Sequence, residues 1–278
     1  MVHQLADHMP RQFDYGPPPI WIDDIPVQPF DTPESFYHAI VGQARNATPG
    51  KPAIVASVNI HATNMAHDLP EFMDFTRNAS ITYCDGAGIR WGAFLQHKDV
   101  PLRLTVADWF DDFIDWMARE GLTVYLLGGM PARNGKPAVA EQMLARQTLR
   151  NRNHSIVGVH HGYVNDPTVN EAVLAEIKAK QPDLVMVGMG MPIQERWVLR
   201  WKNELPVKIF FPIGAAMDYL TGQVPRAPQW IQDCHFEWLF RLMLEPRRMF
   251  KRYVIGNPRF IARVLAKQYL GYRPKAAQ

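Results

Sequence analysis

The residue best placed for chemistry is Asp85, which follows the apolar run Ile81 to Cys84 and precedes two glycines, Gly86 and Gly88. Glycines at such a place let the chain turn sharply and approach a ligand closely. A carboxylate there can take a proton from an incoming hydroxyl, which is the task of a general base. The alternative is an N-cap for a helix beginning near Ala87, because aspartate is favoured at that position. The residues alone leave both interpretations open.

Arg103 is a second candidate, since it lies just past Pro101 with Thr105 close to the start of the next predicted helix. An arginine there can hold a diphosphate by paired, charge-assisted hydrogen bonds and so replace a metal ion. The alternative is a surface ion pair with Asp108 or Asp99.

Two further strand ends carry groups that suit a nucleotide. Gly128 and Gly129 follow a strand and precede a helix, so their backbone N–H groups can approach phosphate. His161 and Tyr163 lie at the end of another strand, where an aromatic ring can cover a base or a ribose. His160 adjoins His161, and neighbouring strand residues point to opposite faces, so at most one of the two histidines faces a ligand.

Two apolar runs, Asp183 to Gly188 and Lys208 to Ile213, each lead into a segment marked by glycine or proline. Parallel strands buried on both faces have this pattern, and open α/β sheets bind ligands at the carboxyl ends of their strands. Gln194 and Glu195 occupy the first turn after Pro192, at a helix N-terminus that favours an anion.

The elements that position these residues alternate along the chain, which predicts an α/β fold with a doubly wound, mainly parallel, Rossmann-like sheet. Strand-like runs lie near residues 20–28, 53–58, 80–84, 123–127, 155–160, 184–188 and 208–213. Helix-length segments cover 33–45, 62–77, 107–119, 137–150, 168–179 and 193–203. We expect residues 1–19 to form a loose N-terminal arm, 20–228 the α/β core, and 229–278 a helical C-terminal appendage broken at Pro246 and Pro258.

Composition indicates a folded globular enzyme of the cytoplasm. The chain has 278 residues, 47% of them hydrophobic, which is enough for a full core. Its N-terminus lacks a basic and an apolar signal region, and no window approaches ~20 uninterrupted apolar residues. Cys84 and Cys234 are too few for a disulfide framework and lack metal or redox spacing, so we interpret them as structural thiols.

The charge is concentrated in the appendage. Residues 241–275 carry ten Lys or Arg against Glu245, a balance of +9 that leaves −6 for the rest of a chain of net charge +3. Apolar residues recur at roughly helical spacing between Phe236 and Val254, beside Arg247, Arg248 and Arg252. This pattern is typical of an amphipathic helix pair on an anionic bilayer, and these arginines can also close over a bound diphosphate. A helix that packs on the core and leaves its arginines solvated is the alternative.

Seven blocks of the chain resemble the WecG/TagA/CpsF family of bacterial glycosyltransferases (glycosyltransferase family 26), over roughly residues 20 to 265. They are YCDGAGIRWGA (83–93), RLTVADWF (103–110), VYLLGGMP (124–131), GVHHGYV (158–164), GMGMPIQERW (188–197), GAAMDYLTGQVPRAPQW (214–230) and EWLFRLMLEPRRMFKRYVIGNP (237–258). The chain departs from the family pattern at Ser57, usually Thr, and at Met191 and Ile193, where a small and a basic residue are usual.

The resemblance implies roles at matching positions. Asp85 matches the family's proposed catalytic base, Arg103 and Gln194 match active-site positions, and Asp218 and Arg226 are expected around the nucleotide. The residues expected to bind donor or acceptor are Ser57, Asn59, Thr105, Gly128, Gly129, His161, Tyr163, Gly188, Glu195, Asp218, Arg226, Arg247, Arg248 and Arg252.

We expect chemistry without a metal or other cofactor. Many nucleotide-sugar transferases hold the diphosphate through a cation on an Asp-x-Asp motif, and the sequence contains no such triplet. No His, Cys and Asp residues have zinc spacing either. The resemblance implies the same independence of metal.

The leading hypothesis is an inverting hexosyltransferase that moves a sugar from a UDP-sugar to a polyprenyl-diphosphate-linked saccharide in cell-surface or exopolysaccharide biosynthesis. We expect it to lie peripherally on the inner face of the cytoplasmic membrane, bound through its C-terminal segment, and not to bind nucleic acid. The sequence leaves open whether it forms a homo-oligomer and which sugar it transfers.

One rival is a dinucleotide-dependent oxidoreductase, since GAGIRWG (86–92) and GMGMPI (188–193) approach a glycine fingerprint without matching it. The other is a non-enzymatic anion- or membrane-binding module.

Overall fold

A parallel six-stranded sheet forms the centre of the molecule. The computed structural model describes residues 14–48, 50–234 and 236–271. A short antiparallel hairpin, β1 (Ile20–Ile22) and β2 (Ile25–Val27), comes first. The main sheet contains β3 (Ala53–Val58), β4 (Ile81–Cys84), β5 (Val124–Gly128), β6 (Ile156–His160), β7 (Leu184–Gly188) and β8 (Ile209–Pro212), in the order β4-β3-β8-β7-β5-β6. Every neighbouring pair in this sheet is parallel, so the predicted α/β, doubly wound fold is confirmed.

Helices connect the strands and cover the sheet. They are α1 (Pro33–Arg45), α2 (Ile60–Asp68), α3 (Pro70–Arg77), α4 (Ala87–Leu95), α5 (Val106–Arg119), α6 (Val139–Arg150), α7 (Pro167–Lys180), α8 (Ile193–Trp201) and α9 (Ala216–Leu220). The chain then continues through α10 (Gln229–Asp233), α11 (Glu237–Leu244), α12 (Pro246–Phe250), a π-helical turn (Lys251–Ile255) and α13 (Gly256–Leu270). None of the helices in the described ranges is long and apolar enough to span a bilayer.

The two faces of the sheet bury different helices. Alternate strand residues point to opposite faces, so Val124 and Leu126 pack with α1, α5, α6 and α9, whereas Tyr125 and Leu127 pack with α7 and α8. The helices that follow β5 and β8 thus cover one face, and those that follow β6 and β7 cover the other. Because the helices leave the sheet toward opposite faces, there is room for a ligand at the carboxyl ends of the strands.

A third core lies at the β4 edge, and it includes the last helix. Phe260 and Val264 of α13 are fully buried there with Ile22 of the hairpin and Ile89 of α4. Gly92 makes this contact close, because a Cβ at that position would lie 2.5 Å from the Phe260 ring. The predicted appendage therefore has two parts: α10 to the π-helical turn, and α13, which packs into the core.

Three boundaries differ from the prediction. The run near 20–28 forms the separate hairpin, because Asp23 and Asp24 both adopt positive φ and turn the chain. The segment 62–77 is two helices, since Pro70 lacks an N–H and begins α3. Pro258 does not break the last helix: it lies in the first turn of α13, where no backbone donor is needed.

The described part of the predicted N-terminal arm, residues 14–19, is held against the hairpin. The Gln28 side chain donates to the carbonyl oxygens of Tyr15 and Pro17 at 3.1 and 3.0 Å. Residues 1–13 of the arm, and Arg273 and Lys275 of the basic tail, lie outside the described residues.

Candidate active site

The carboxyl ends of β3 and β4 place Asn59 beside Asp85. Asn59 is the N-cap of α2, and its Oδ1 accepts a hydrogen bond from the Ala62 amide at 2.9 Å. Its Nδ2 donates to Oδ2 of Asp85 at 3.2 Å. Gly86, with a φ of 98°, precedes α4, and no side chain caps that helix. The interpretation of Asp85 as an N-cap is therefore wrong. The residue is partly buried, and its carboxylate accepts the hydrogen bond from Asn59 instead of capping a helix.

Those groups set the basicity of Asp85. Burial raises the pKa of the carboxyl, and the hydrogen bond from Asn59 opposes this. The positive charges of Arg252 and Arg103 also lower the pKa, whereas the negative charge of Glu237 raises it. The net shift is upward, which makes the carboxylate a stronger base than a solvated aspartate.

Arg103 joins the core to the appendage. Its guanidinium lies 3.4 Å from Glu237 of α11 and 3.4 Å from Asp108 of α5. The predicted alternative, an ion pair with Asp108, is thus present, and Asp108 also pairs with Arg226. Both contacts of Arg103 are near the upper limit for hydrogen bonds, so an incoming anion competes with weak partners.

Two arginines of the appendage, Arg241 and Arg252, are partly buried and form no ion pair within the part of the chain that the structure describes. Arg241 lies 5.2 Å from the centre of the Tyr219 ring, and Arg252 lies 5.4 Å from that of Tyr253. The Nε of each is buried, and neither Nε has a hydrogen-bond acceptor among the described residues. Burial lowers the pKa of Arg252, Arg241 acts in the same direction, and the negative charge of Asp85 opposes them. Guanidinium groups withdrawn from water are normally paired with an anion, so this pair is a candidate site for one.

Arg248 and Arg247 differ from that pair in being exposed. Arg248 contacts Glu245, the residue before its helix, at 2.9 Å. Burial raises the pKa of Asp218, and the charge of Arg248 opposes this shift.

Gln194 joins the loops that follow β7 and β8. Its Oε1 accepts from the amides of Gly190 at 3.2 Å and Gly214 at 3.0 Å, and its Nε2 donates to Glu195 at 2.7 Å. Both side chains are buried, and Oε2 of Glu195 has no partner among the described residues. Burial raises the pKa of Glu195 to about 7, although the bond from Gln194 lowers it. Gln194 thus fixes two loop backbones.

The glycine-rich strand ends pack against one another. Gly129 donates its N–H to the carbonyl of Gly188 at 3.0 Å, so this amide already has an acceptor. A Cβ on Gly128 would lie 2.4 Å from the same carbonyl oxygen. Glycine is therefore required at Gly128 by close strand packing, and phosphate binding by this loop stays a prediction.

The β6 end presents one histidine and one tyrosine. His160 bonds through Nδ1 to the carbonyl of His161 at 2.9 Å, and Nδ1 of His161 accepts from the Tyr163 amide at 3.3 Å. Burial lowers the pKa of His161, and the neighbouring His160 adds to this. The Tyr163 side chain is exposed and free to stack.

Three further residues on neighbouring elements, Ser57, Thr105 and His61, are partly buried. Ser57 on β3 lies opposite Tyr83 of β4 in the strand register, and the Thr105 hydroxyl makes no capping bond to α5. His61, in the first turn of α2, has its pKa lowered to about 4 by burial and by the charge of Arg252. Across residues 14–48, 50–234 and 236–271, no three His, Cys, Asp or Glu side chains are arranged to hold a metal.

Comparison with known proteins decides the family. The model of the glycosyl transferase WecG/TagA/CpsF family matches residues 20–274. The chain belongs to this family. Among curated relatives, it is 26% identical over 216 residues to the N-acetylglucosaminyldiphosphoundecaprenol N-acetyl-beta-D-mannosaminyltransferase of Bacillus subtilis (strain 168), covering 78% of this chain and 80% of the relative. The protein is a glycosyltransferase, and neither rival function gains support.

In this WecG/TagA/CpsF member the structure links part of the predicted site. Hydrogen bonding or electrostatic interaction connects Asp85 with Asn59, Arg103 and Arg252. No contact among the described residues connects Asp85 with His161 or Tyr163, whose roles stay predictions.

Sequence reasoning missed Arg241 and His61. Arg241 was counted only as part of a basic segment, although its position within a run of apolar residues was a sign of burial. His61 gave no signal, because its proximity to Arg252 arises from contact between α2 and the appendage.

Proposed function

We propose that this glycosyltransferase moves a hexose from a UDP-sugar to a saccharide on polyprenyl diphosphate, with inversion and without a metal ion. The observation that carries the proposal is the arrangement of Asp85 near Arg252, which itself interacts with Arg241. A base near partly buried cations, whose Nε atoms have no acceptor among the described residues, suits a reaction in which a hydroxyl attacks and a diphosphate leaves.

Asp85 takes the proton of the acceptor hydroxyl as its oxygen attacks the anomeric carbon. The bond between that carbon and the diphosphate oxygen breaks, and its electron pair leaves with UDP. Attack from the side opposite the leaving group inverts the anomeric configuration. Arg252 and Arg241 stabilise the charge that develops on UDP, with Arg103 beside them. Fixed guanidinium groups supply the positive charge that an Asp-x-Asp-bound cation supplies in other transferases.

The relative's name supports the acceptor class. It describes a transferase acting on N-acetylglucosaminyldiphosphoundecaprenol, and we assign this chain an acceptor of the same chemistry. The exposed apolar residues of α11 and the π-helical turn, beside Arg247, Arg248 and Lys251, support a location on the inner face of the cytoplasmic membrane, where such acceptors are found.

Labelled UDP-sugars tested one at a time with N-acetylglucosaminyldiphosphoundecaprenol check this function. The panel includes UDP-N-acetylmannosamine, UDP-glucose and a UDP-uronic acid. We expect at least one donor to place label in the lipid fraction, with the product anomer opposite to that of the donor. Folded protein that transfers no label from any donor, or that NAD(P) stabilises against heat while UDP does not, would contradict the proposal.

A further inference from the structure

The π-helical turn that carries Arg252 needs support from outside the helix. π-turns are rare and short, and they occur most often at functional sites. The Arg252 side chain makes no hydrogen bond to any described residue, and its ring contact is with Tyr253, its neighbour in the same turn. The backbone of the turn therefore sets the point from which this side chain starts.

One buried side chain holds the end of that turn. Nδ2 of Asn64, on α2, donates to the carbonyl oxygen of Gly256 at 2.8 Å, where the π-helical turn becomes α13. A Cβ on Gly256 would lie 3.0 Å from this nitrogen, so the two groups approach closely. Oδ1 of Asn64 accepts a hydrogen bond from Arg263 at 2.8 Å, so both polar atoms of the Asn64 amide are hydrogen-bonded.

Arg263 is fixed in turn by the hairpin. Its Nε donates to Asp23 at 2.8 Å, and the Asp23 side chain is fully buried. Lys267 donates to the same carboxylate at 2.6 Å, and His67 lies 3.2 Å from it. Asp23 is thus surrounded by three cationic or polar partners. Because this buried acid is held on several sides, the Asp23–Arg263 pair that supports Asn64 is rigid.

The same helix holds the base. Asn59, at the start of α2, binds Asp85, and Asn64 follows five residues later on that helix. Five residues of α-helix span about 7.5 Å. Helix α2 therefore connects the catalytic carboxylate to the turn that carries Arg252.

We propose that Asn64, supported by Arg263 and Asp23, is a positioning residue that fixes Arg252 relative to Asp85. This inference rests on the proposed role of Arg252 at the diphosphate. Asn64 itself touches neither substrate nor the reacting atoms.

A double-mutant cycle on transfer activity tests the proposal. We expect Asn64→Ala to lower kcat by roughly 10- to 100-fold, since misplacement of about 1 Å has effects of this size. Arg252→Ala lowers it as well, and Asn64→Ala causes no further loss in the Arg252→Ala background. Arg263→Lys keeps a positive charge near Asp23 but loses the second donor, which bonds to Asn64. We expect it to lower kcat by less than Asn64→Ala does.

Arg259→Ala is the matched control. Arg259 also ties α13 to α2, through Asp68 at 2.7 and 2.5 Å, but it is exposed and contacts neither Asn64 nor Gly256. We expect its kcat to equal that of the wild type. Additive losses of the Asn64 and Arg252 variants, or wild-type kcat in Asn64→Ala, would overturn the inference. If Asn64→Ala does not fold by circular dichroism, Arg263→Lys and its combination with Arg252→Ala supply the same cycle. Wild-type kcat in Arg252→Ala would instead overturn its role in the proposed function.

Discussion

At Asp85 opposing effects leave a carboxylate that is basic yet able to ionise. Burial raises the pKa, and the hydrogen bond from Asn59 with the charge of Arg252 limits the rise. A base whose pKa is closer to neutrality accepts a proton more readily, provided that it is still ionised at working pH. Because the charges of Asp85 and Arg252 interact, an anion bound at Arg252 would change the pKa of Asp85.

Asp85→Asn is expected to leave the fold and UDP binding nearly unchanged and to slow transfer about 10²- to 10⁴-fold. The amide keeps the size of the side chain and can still bond to Asn59, but it cannot take a proton. Single-turnover transfer and UDP-dependent thermal shift measure the two effects separately. Wild-type transfer by the variant would remove Asp85 from the role of base.

Glu195→Gln is expected to flatten the dependence of stability on pH. The folded pKa of Glu195 is raised from 4.5 to about 7, so the folded state keeps a proton that the unfolded state loses. The free energy of unfolding therefore falls as pH rises from about 4.5 to about 7, and it is constant above. Glutamine does not titrate, and its Oε1 can still accept from Gln194.

Urea denaturation of wild type and Glu195→Gln at pH 5 and pH 8 measures this effect. The variant should gain stability relative to the wild type between the two values. Parallel changes in both proteins would show that Glu195 does not hold its proton in the folded state.

Residue patterns predicted Asp85 better than the arginines around it. Asp85 could be found because an apolar run, an acid and two glycines are adjacent in sequence. Arg241 stands in a run of apolar residues, which indicates burial, but its approach to Tyr219 depends on how α11 packs, and no local pattern encodes that packing. The same limit applies to Gln194, which was interpreted as a first-turn residue but accepts hydrogen bonds from Gly190 and Gly214, which lie 24 residues apart in sequence.

At the scale of elements, the proposed site combines positive charge from the appendage with a carboxylate from the end of β4. Strand ends were predictable from apolar runs, and helix starts from proline and glycine. The π-helical turn was not, because no local sequence pattern marks it, and its end at Gly256 is bonded to Asn64 on another helix. Arg252 and Asp85 therefore belong to elements that meet only in the folded chain.

Transfer activity is expected to survive EDTA and to fall in Arg241→Ala, because in the proposed mechanism guanidinium groups of the appendage take the place of a metal ion. Removal of one preorganised donor to the leaving group costs about 10²- to 10³-fold in kcat. Activity assays with and without chelator measure both effects, with Arg259→Ala as the control. Turnover that EDTA abolishes and Mg²⁺ or Mn²⁺ restores would show that a cation holds the diphosphate.

At the scale of the molecule, the exposed apolar side chains of the appendage form one candidate membrane surface. Leu239, Met243 and Phe250 are 40%, 74% and 53% exposed, close in sequence to the exposed Arg247 and Lys251. Deletion of the whole appendage is a poor test, since α13 belongs to the third core. Substitution on the exposed surface keeps that core intact.

Leu239→Ser/Met243→Ser/Phe250→Ser is expected to weaken binding to anionic vesicles while thermal stability changes little. Burial of apolar side chains and about 1 kcal/mol from each basic residue near the surface favour binding of the wild type. Sedimentation with vesicles of rising anionic lipid content, at low and high salt, measures it. Leu149→Ser, a 90% exposed leucine on α6, is the control. Equal pelleting of the triple variant and the wild type would remove this surface from membrane binding.

The bond between Asp23 and Lys267 joins residues 244 positions apart, which orders events during synthesis. At about 5–20 residues per second, the ribosome makes Lys267 roughly 12 to 50 s after Asp23. Until then Asp23 lacks this partner, and the third core lacks Phe260 and Val264. A nascent chain therefore holds Asp85 long before Arg252 can be fixed beside it. On the proposed mechanism, a chain that ends before Arg252 would therefore carry the base without the cations beside it.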